Sequence, residues 1–172
     1  MKPKTATASF RLDEYALAAL QEDAKKQNIS VNTLINQLIL TYANYDRPMK
    51  RFHMVKVSGS TFRHILQAAK DETIVGAGDL AGNDGPKTAI LAKSGEVTPE
   101  NVLGYLKDMS NYSALFEYSE MMHDGKISVT LTHDFGQKGS LFLQQYVLAI
   151  FAQIGKRPRF QADEHAVLFE LE

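Results

Sequence analysis

The sequence predicts an α+β chain in two parts: a short N-terminal unit of one strand and two helices, and a larger C-terminal domain mixing helices with paired strands. Three observations carry this. Residues 7 to 12 alternate in polarity as a strand does, and residues 13 to 44 hold two apolar stripes at three- and four-residue steps. Residues 98 to 171 switch from a helical period to strand alternation and back. With 172 residues, 44% hydrophobic and 23% charged, the chain can bury a proper core and form one domain plus a small one.

In the first stretch Ala8, Phe10 and Leu12 point one way, and Thr7, Ser9 and Arg11 the other. No second strand lies within reach, so the donors and acceptors of this strand need another chain. An obligate dimer is expected. Asp13 is a good N-cap with Glu14 near the positive helix end, and Ala16, Leu17, Leu20 and Ala24 form the inner stripe. Asn28 suits the left-handed residue that closes a helix, Ile29 plugs the turn, and Ser30 caps the next helix. Leu34, Ile35, Leu38, Ile39 and Tyr42 continue that second helix to about Asn44.

Residues 5 to 44 therefore resemble the ribbon-helix-helix family of DNA-binding proteins, the Arc and MetJ type. The resemblance rests on the polar-x-polar-x-Arg-Leu-Asp run followed by helix, Ile29 and Ser30. It implies an intertwined homodimer whose two-stranded ribbon enters the major groove of double-stranded DNA. Thr7, Ser9 and Arg11 would face the bases, and Ser30, Val31 and Asn32 would present helix-end amides to a phosphate. Arg11 is the one charged residue on the strand, so phosphate affinity leans also on Lys2 and Lys4. Arginine is the side chain best suited to a bidentate contact with guanine.

Charge is divided unevenly. Residues 1 to 51 hold eight Lys or Arg against five Asp or Glu, giving +3, and residues 52 to 172 hold eleven against fifteen, giving −4. A basic module facing phosphates with an acidic remainder turned away matches the field a DNA-binding face needs. The longest apolar runs, Leu34 to Tyr42 and Leu141 to Ile154, are broken by Asn and Gln, so no membrane span is expected. With no cysteine, disulfides, thiolate zinc sites and cysteine nucleophiles are excluded. No signal peptide is visible, and a cytoplasmic setting is the simplest expectation.

Pro48 marks a linker over residues 47–51, leaving a DNA-binding and dimerisation domain over 1–46 and a sensing or oligomerisation domain over 52–172. Phe52 to Val57 alternates like a strand, and Ser60 to Ala69 reads as a helix. Ile74-Val75 and Ala89 to Ala92 read as short strands flanking GAGDLAGNDGPK, a glycine-rich mobile loop without dinucleotide or P-loop spacing. Thr98 with Pro99 starts a helix. Leu115 to Met122 and Lys126 to His133 form a hairpin about Asp124-Gly125. A helix follows from Gly139 or Ser140 to Ile154, then a closing strand over Ala166 to Leu171.

Stripped of the loop, this order approaches the βαββαβ arrangement of ferredoxin-like domains. It also resembles, in topology alone, the regulatory domain of nickel-responsive repressors. The chemistry differs: there is no cysteine, and His53, His64, His123, His133 and His165 lack the close spacing of a metal-binding strand, so neither metal nor cofactor is expected. His133, Lys138 and Ser140, at a strand end running into a helix N-terminus, form a candidate effector site. No catalytic arrangement is recognisable, so an enzyme is not expected. The expected function is a dimeric transcriptional regulator, a repressor type open to tetramer formation. The alternative is an antitoxin-like module whose second domain binds a partner protein.

Overall fold

The structure is a computed structural model that describes residues 5–47, 50, 55–123 and 125–171. Lys2, Lys4, Phe52 to Met54 and Asp124 lie outside the described residues. The chain divides into two units, residues 1–43 and 44–172.

In the first unit α1 spans Glu14–Lys26 and α2 spans Val31–Thr41. Their connection is built as its residues predict. Asn28 has φ +54, and the Ile29 and Asn28 amides donate to the Ala24 and Lys25 carbonyls at 3.0 and 3.2 Å. Those two bonds make a Schellman closure. Ser30 Oγ then accepts from the Thr33 amide at 3.0 Å, which caps α2. Residues 5–13 belong to no helix or strand within the chain. A turn of π-helix, Tyr42–Asp46, holds the boundary between the units.

The second unit contains α3 (Gly59–Ala68), α4 (Asp71–Asp84), α5 (Pro86–Ser94), α6 (Pro99–Ser113) and α7 (Gly136–Ala152). Its strands are β1 (Glu117–His123), β2 (Lys126–Thr132), β3 (Arg159–Ala162) and β4 (Ala166–Leu171). They form one antiparallel sheet in the order β1-β2-β4-β3. The fold is therefore α+β, with Val129, Leu131, Val167 and Phe169 on the sheet face that α6 and α7 cover. From α6 come Val102, Leu106 and Met109, and from α7 Leu143, Val147, Ile150 and Phe151.

Several expectations are corrected. The described sheet has no parallel pair and does not show the ferredoxin-like order: β4 pairs directly with β2, and the tight connection at Asp163–His165 folds it back antiparallel on β3. Val55 to Val57 is not in a strand, and β3 leaves no signal in the sequence, because four residues are too few to show alternation. The helix α7 starts at Gly136, ahead of the expected Gly139 or Ser140.

The largest correction concerns residues 71–97, where two helices replace the strands and loop. Ile74, Gly78 and Gly82 recur at four-residue steps and are all buried on one face of α4. A methyl group at Gly78 would lie 2.7 Å from the Phe142 carbonyl oxygen, and one at Gly82 would lie 2.5 Å from that of Tyr146. These glycines are there to let two helix backbones approach, not to turn the chain. Gln153 Nε2 donates to the Gly82 carbonyl at 2.8 Å across the same seam. Among the described residues no helix is long and apolar enough to cross a membrane.

The seam can be tested within one helix. Gly82→Ala is expected to cost about 1–3 kcal/mol or more in denaturant unfolding, because it overpacks against backbone. Gly76, where an added methyl would meet nothing within 4 Å, should accept Ala with a gain of up to about 1 kcal/mol in helix propensity. Equal effects at the two positions would contradict the assigned packing.

Candidate functional site

Two regions carry the residues singled out for function, one in each unit. In the first unit Thr7, Ser9 and Arg11 are exposed, and so are the apolar residues that alternate with them, Phe10 at 54% and Leu12 at 41%. Leu38, Ile39 and Leu40 on α2 are exposed as well. Ala24 and Leu34 are the buried hydrophobic residues among those described in the unit. At the start of α2, the Ser30 hydroxyl serves the Thr33 amide, and the Val31 and Asn32 amides belong to the first turn, which lacks intrahelical acceptors.

In the second unit the structure brings His133 and Ser140 together and gives each a defined bonding state. The Phe135 amide donates to His133 Nδ1 at 3.1 Å, so that nitrogen carries no proton. Nε2 therefore holds the hydrogen and donates to Ser140 Oγ at 2.9 Å, and the serine hydroxyl donates to the Asp163 carbonyl. The His133 amide donates to the His165 carbonyl at 2.8 Å, which extends the β2–β4 ladder by one step. Asp163 closes the β3–β4 turn by accepting at Oδ1 from the His165 and Ala166 amides at 2.7 and 2.8 Å. Those amide bonds hold its carboxyl below the usual carboxylate range.

This chain of bonds ties the end of β2, the N-terminus of α7 and the β3–β4 turn together. It is unsuited to nucleophilic catalysis. A base that activates a serine must offer that hydroxyl a lone pair, whereas here the imidazole offers a proton. Both side chains are also buried, at 5% and 1% exposure. Gly139 permits the arrangement, since a methyl there would collide with the Phe135 side chain.

Lys138 reaches away from this pair. Its ammonium donates to the Gln67 carbonyl at 3.0 Å and to the Ala69 carbonyl, with Asp71 Oδ1 at 3.9 Å. It thereby caps the C-terminus of α3, where a cation complements the helix dipole. Phe62 of α3 packs edge-on against Phe135 and Phe142, at 5.1 and 5.9 Å between ring centroids. So Lys138 holds a helix, while His133 and Ser140 hold a turn.

Beside His133 opens a cleft of about 1010 Å³. One wall is the face of α3 carrying Ser60, Arg63, His64 and Gln67, and the other is built from the α6–β1 turn and the end of β2. The α3 face follows the helical spacing i, i+3, i+4, i+7 but reads in the sequence as an ordinary solvated face. Among the described residues no group of three or more His, Asp or Glu side chains converges as metal ligands would. No family model, no curated protein and no solved structure matches the chain.

Burial lowers the His133 pKa, reinforced by His165 and opposed by Asp134 and Asp163. The folded protein thus resists a proton that the unfolded chain accepts at about pH 6.5. Stability should be full above that pH and decline as the pH falls toward the folded value. His133→Gln should flatten this decline in thermal melts taken across pH, and Ser140→Ala should cost about 1–3 kcal/mol by stranding the imidazole N–H. An unchanged pH profile in the His133 variant would contradict the lowered proton affinity of the buried imidazole.

Proposed function

We propose that the chain is a sequence-specific DNA-binding regulator that acts as a homodimer, with residues 5–13 of two copies paired as an antiparallel ribbon in the major groove. The observation that carries this reading is the exposure of Phe10 and Leu12 beside Thr7, Ser9 and Arg11, on a segment with no strand partner among the described residues of its own chain. A 43-residue unit that buries so little apolar surface is below the size at which a domain ordinarily stands alone. A second copy removes the deficit, because it pairs the strand backbones and covers the apolar side of each.

The polar side then faces outward with Thr7, Ser9 and Arg11 doubled by symmetry. Two hydroxyls and a guanidinium per strand match the donor and acceptor pattern of base edges. The first-turn amides of Val31 and Asn32 supply a phosphate contact that fixes register. Within this reading the second unit oligomerises or senses an effector.

Selection of bound sequences from random duplex DNA tests the reading directly. Arg11→Ala should weaken the selected site by about 1–3 kcal/mol while changing binding to random DNA far less. Affinity should fall steeply with added salt, and sedimentation equilibrium should give a dimer that Phe10→Asp dissociates. A monomer in solution, or a selected site indifferent to Arg11, would overturn the proposal.

A further inference from the structure

The cleft between α3 and the sheet has a lining whose charges decide what it can take. Arg63 stands on the α3 wall, and Glu117 and Asp134 stand at the start of β1 and after β2. Among the described residues no ion pair joins Arg63 to either carboxylate. A phosphate-rich anion would meet two carboxylates, and a polycation would meet the guanidinium. A ligand carrying one charge of each sign satisfies both walls.

Two further features narrow the class. His64 Nδ1 donates to the Ser60 carbonyl at 2.8 Å, which fixes its tautomer and makes Nε2 the nitrogen left for a ligand. The lining also includes the buried Phe116 and Phe135 beside the exposed polar residues of α3, so polar and apolar groups share one cleft. Its volume of about 1010 Å³ leaves room for more than a single small metabolite. The geometry points to a binding site for a zwitterion with an apolar body, of the amino-acid or short-peptide class. The ligand carboxylate pairs with Arg63, and its ammonium pairs with Glu117 and Asp134.

This site is distinct from the His133–Ser140–Asp163 chain of bonds, which is internally satisfied. His133 forms part of the cleft wall and bonds no ligand in this assignment. The inference also stands apart from DNA binding, since every residue it uses lies in the second unit.

Calorimetric titration of the full chain with four probes tests it: L-leucine, L-leucyl-L-leucine, N-acetyl-L-leucine and L-leucinamide. The two zwitterions should bind, and whichever binds tighter separates a free amino acid from a peptide. Each blocked analogue should lose up to about fivefold, the size of one solvent-exposed ion pair. Arg63→Gln should weaken L-leucine while leaving L-leucinamide unaffected, and Glu117→Gln should weaken L-leucine while leaving N-acetyl-L-leucine unaffected. Both positions are exposed, so thermal melts of the variants should match the parent. No heat with any probe at millimolar concentration, equal binding of all four, or variants that bind as the parent does would overturn the assignment.

Discussion

Helix α7 is enclosed on both sides, and the second unit is arranged by what that enclosure requires. Toward the sheet it presents Leu143, Val147, Ile150 and Phe151, all in the main core. Along the seam with α4 it meets glycine at Gly78 and Gly82, where the α4 backbone lies against that of α7, and nearer its N-terminus Phe142 packs on Phe62 of α3. At the N-terminal end, His133 and Ser140 lock its first turns to the strands. A helix apolar around much of its circumference must be covered on several faces. Each neighbouring element is placed by supplying one of those covers.

The first unit obeys the opposite constraint. The turn between its helices is complete, with Asn28 closing α1, Ile29 following it and Ser30 capping α2, although the Asp13 side chain makes no capping bond at the start of α1. Its apolar surface is not covered, since Leu38, Ile39, Phe10 and Leu12 remain exposed. Local chemistry therefore specifies the path of the chain without supplying the hydrophobic burial that makes a path stable. Coverage by a second copy is the physical content of the proposed dimer, and the proposed DNA-facing side is the one that such a pairing would leave outside.

Legibility in the sequence tracks how local the deciding interaction is. The cap at Thr98 and Pro99, the hairpin with Gly125 at φ +75 and the closure at Asn28 depend on neighbours within a few residues, and the sequence reveals them. Gly78 and Gly82 read in the sequence as turn formers because their role depends on α7, far along the chain. The same limit applies to the candidate site. His133 and Ser140 are recognisable as polar residues at a helix start, but the Phe135 amide and the Asp163 carbonyl decide which nitrogen holds the proton. Arg63 and Glu117 are unremarkable in the sequence, since only the fold sets them on opposite walls of one cleft.

The antitoxin-like alternative can be weighed on the same physical ground. A segment that folds on a partner leaves its apolar residues without a core until the partner supplies one. The second unit has its own: Val102, Leu106, Val129, Leu131, Val167 and Phe169 are each fully buried or nearly so within the single chain. Its polar groups are likewise provided for, as no buried side-chain nitrogen or oxygen among the described residues lacks a hydrogen-bond partner. Ordering entropy is therefore already offset within the unit, and a partner is not needed for it to fold. What the unit offers other molecules is an open cleft with opposed charges at its rim, a geometry for recognition by an already folded domain.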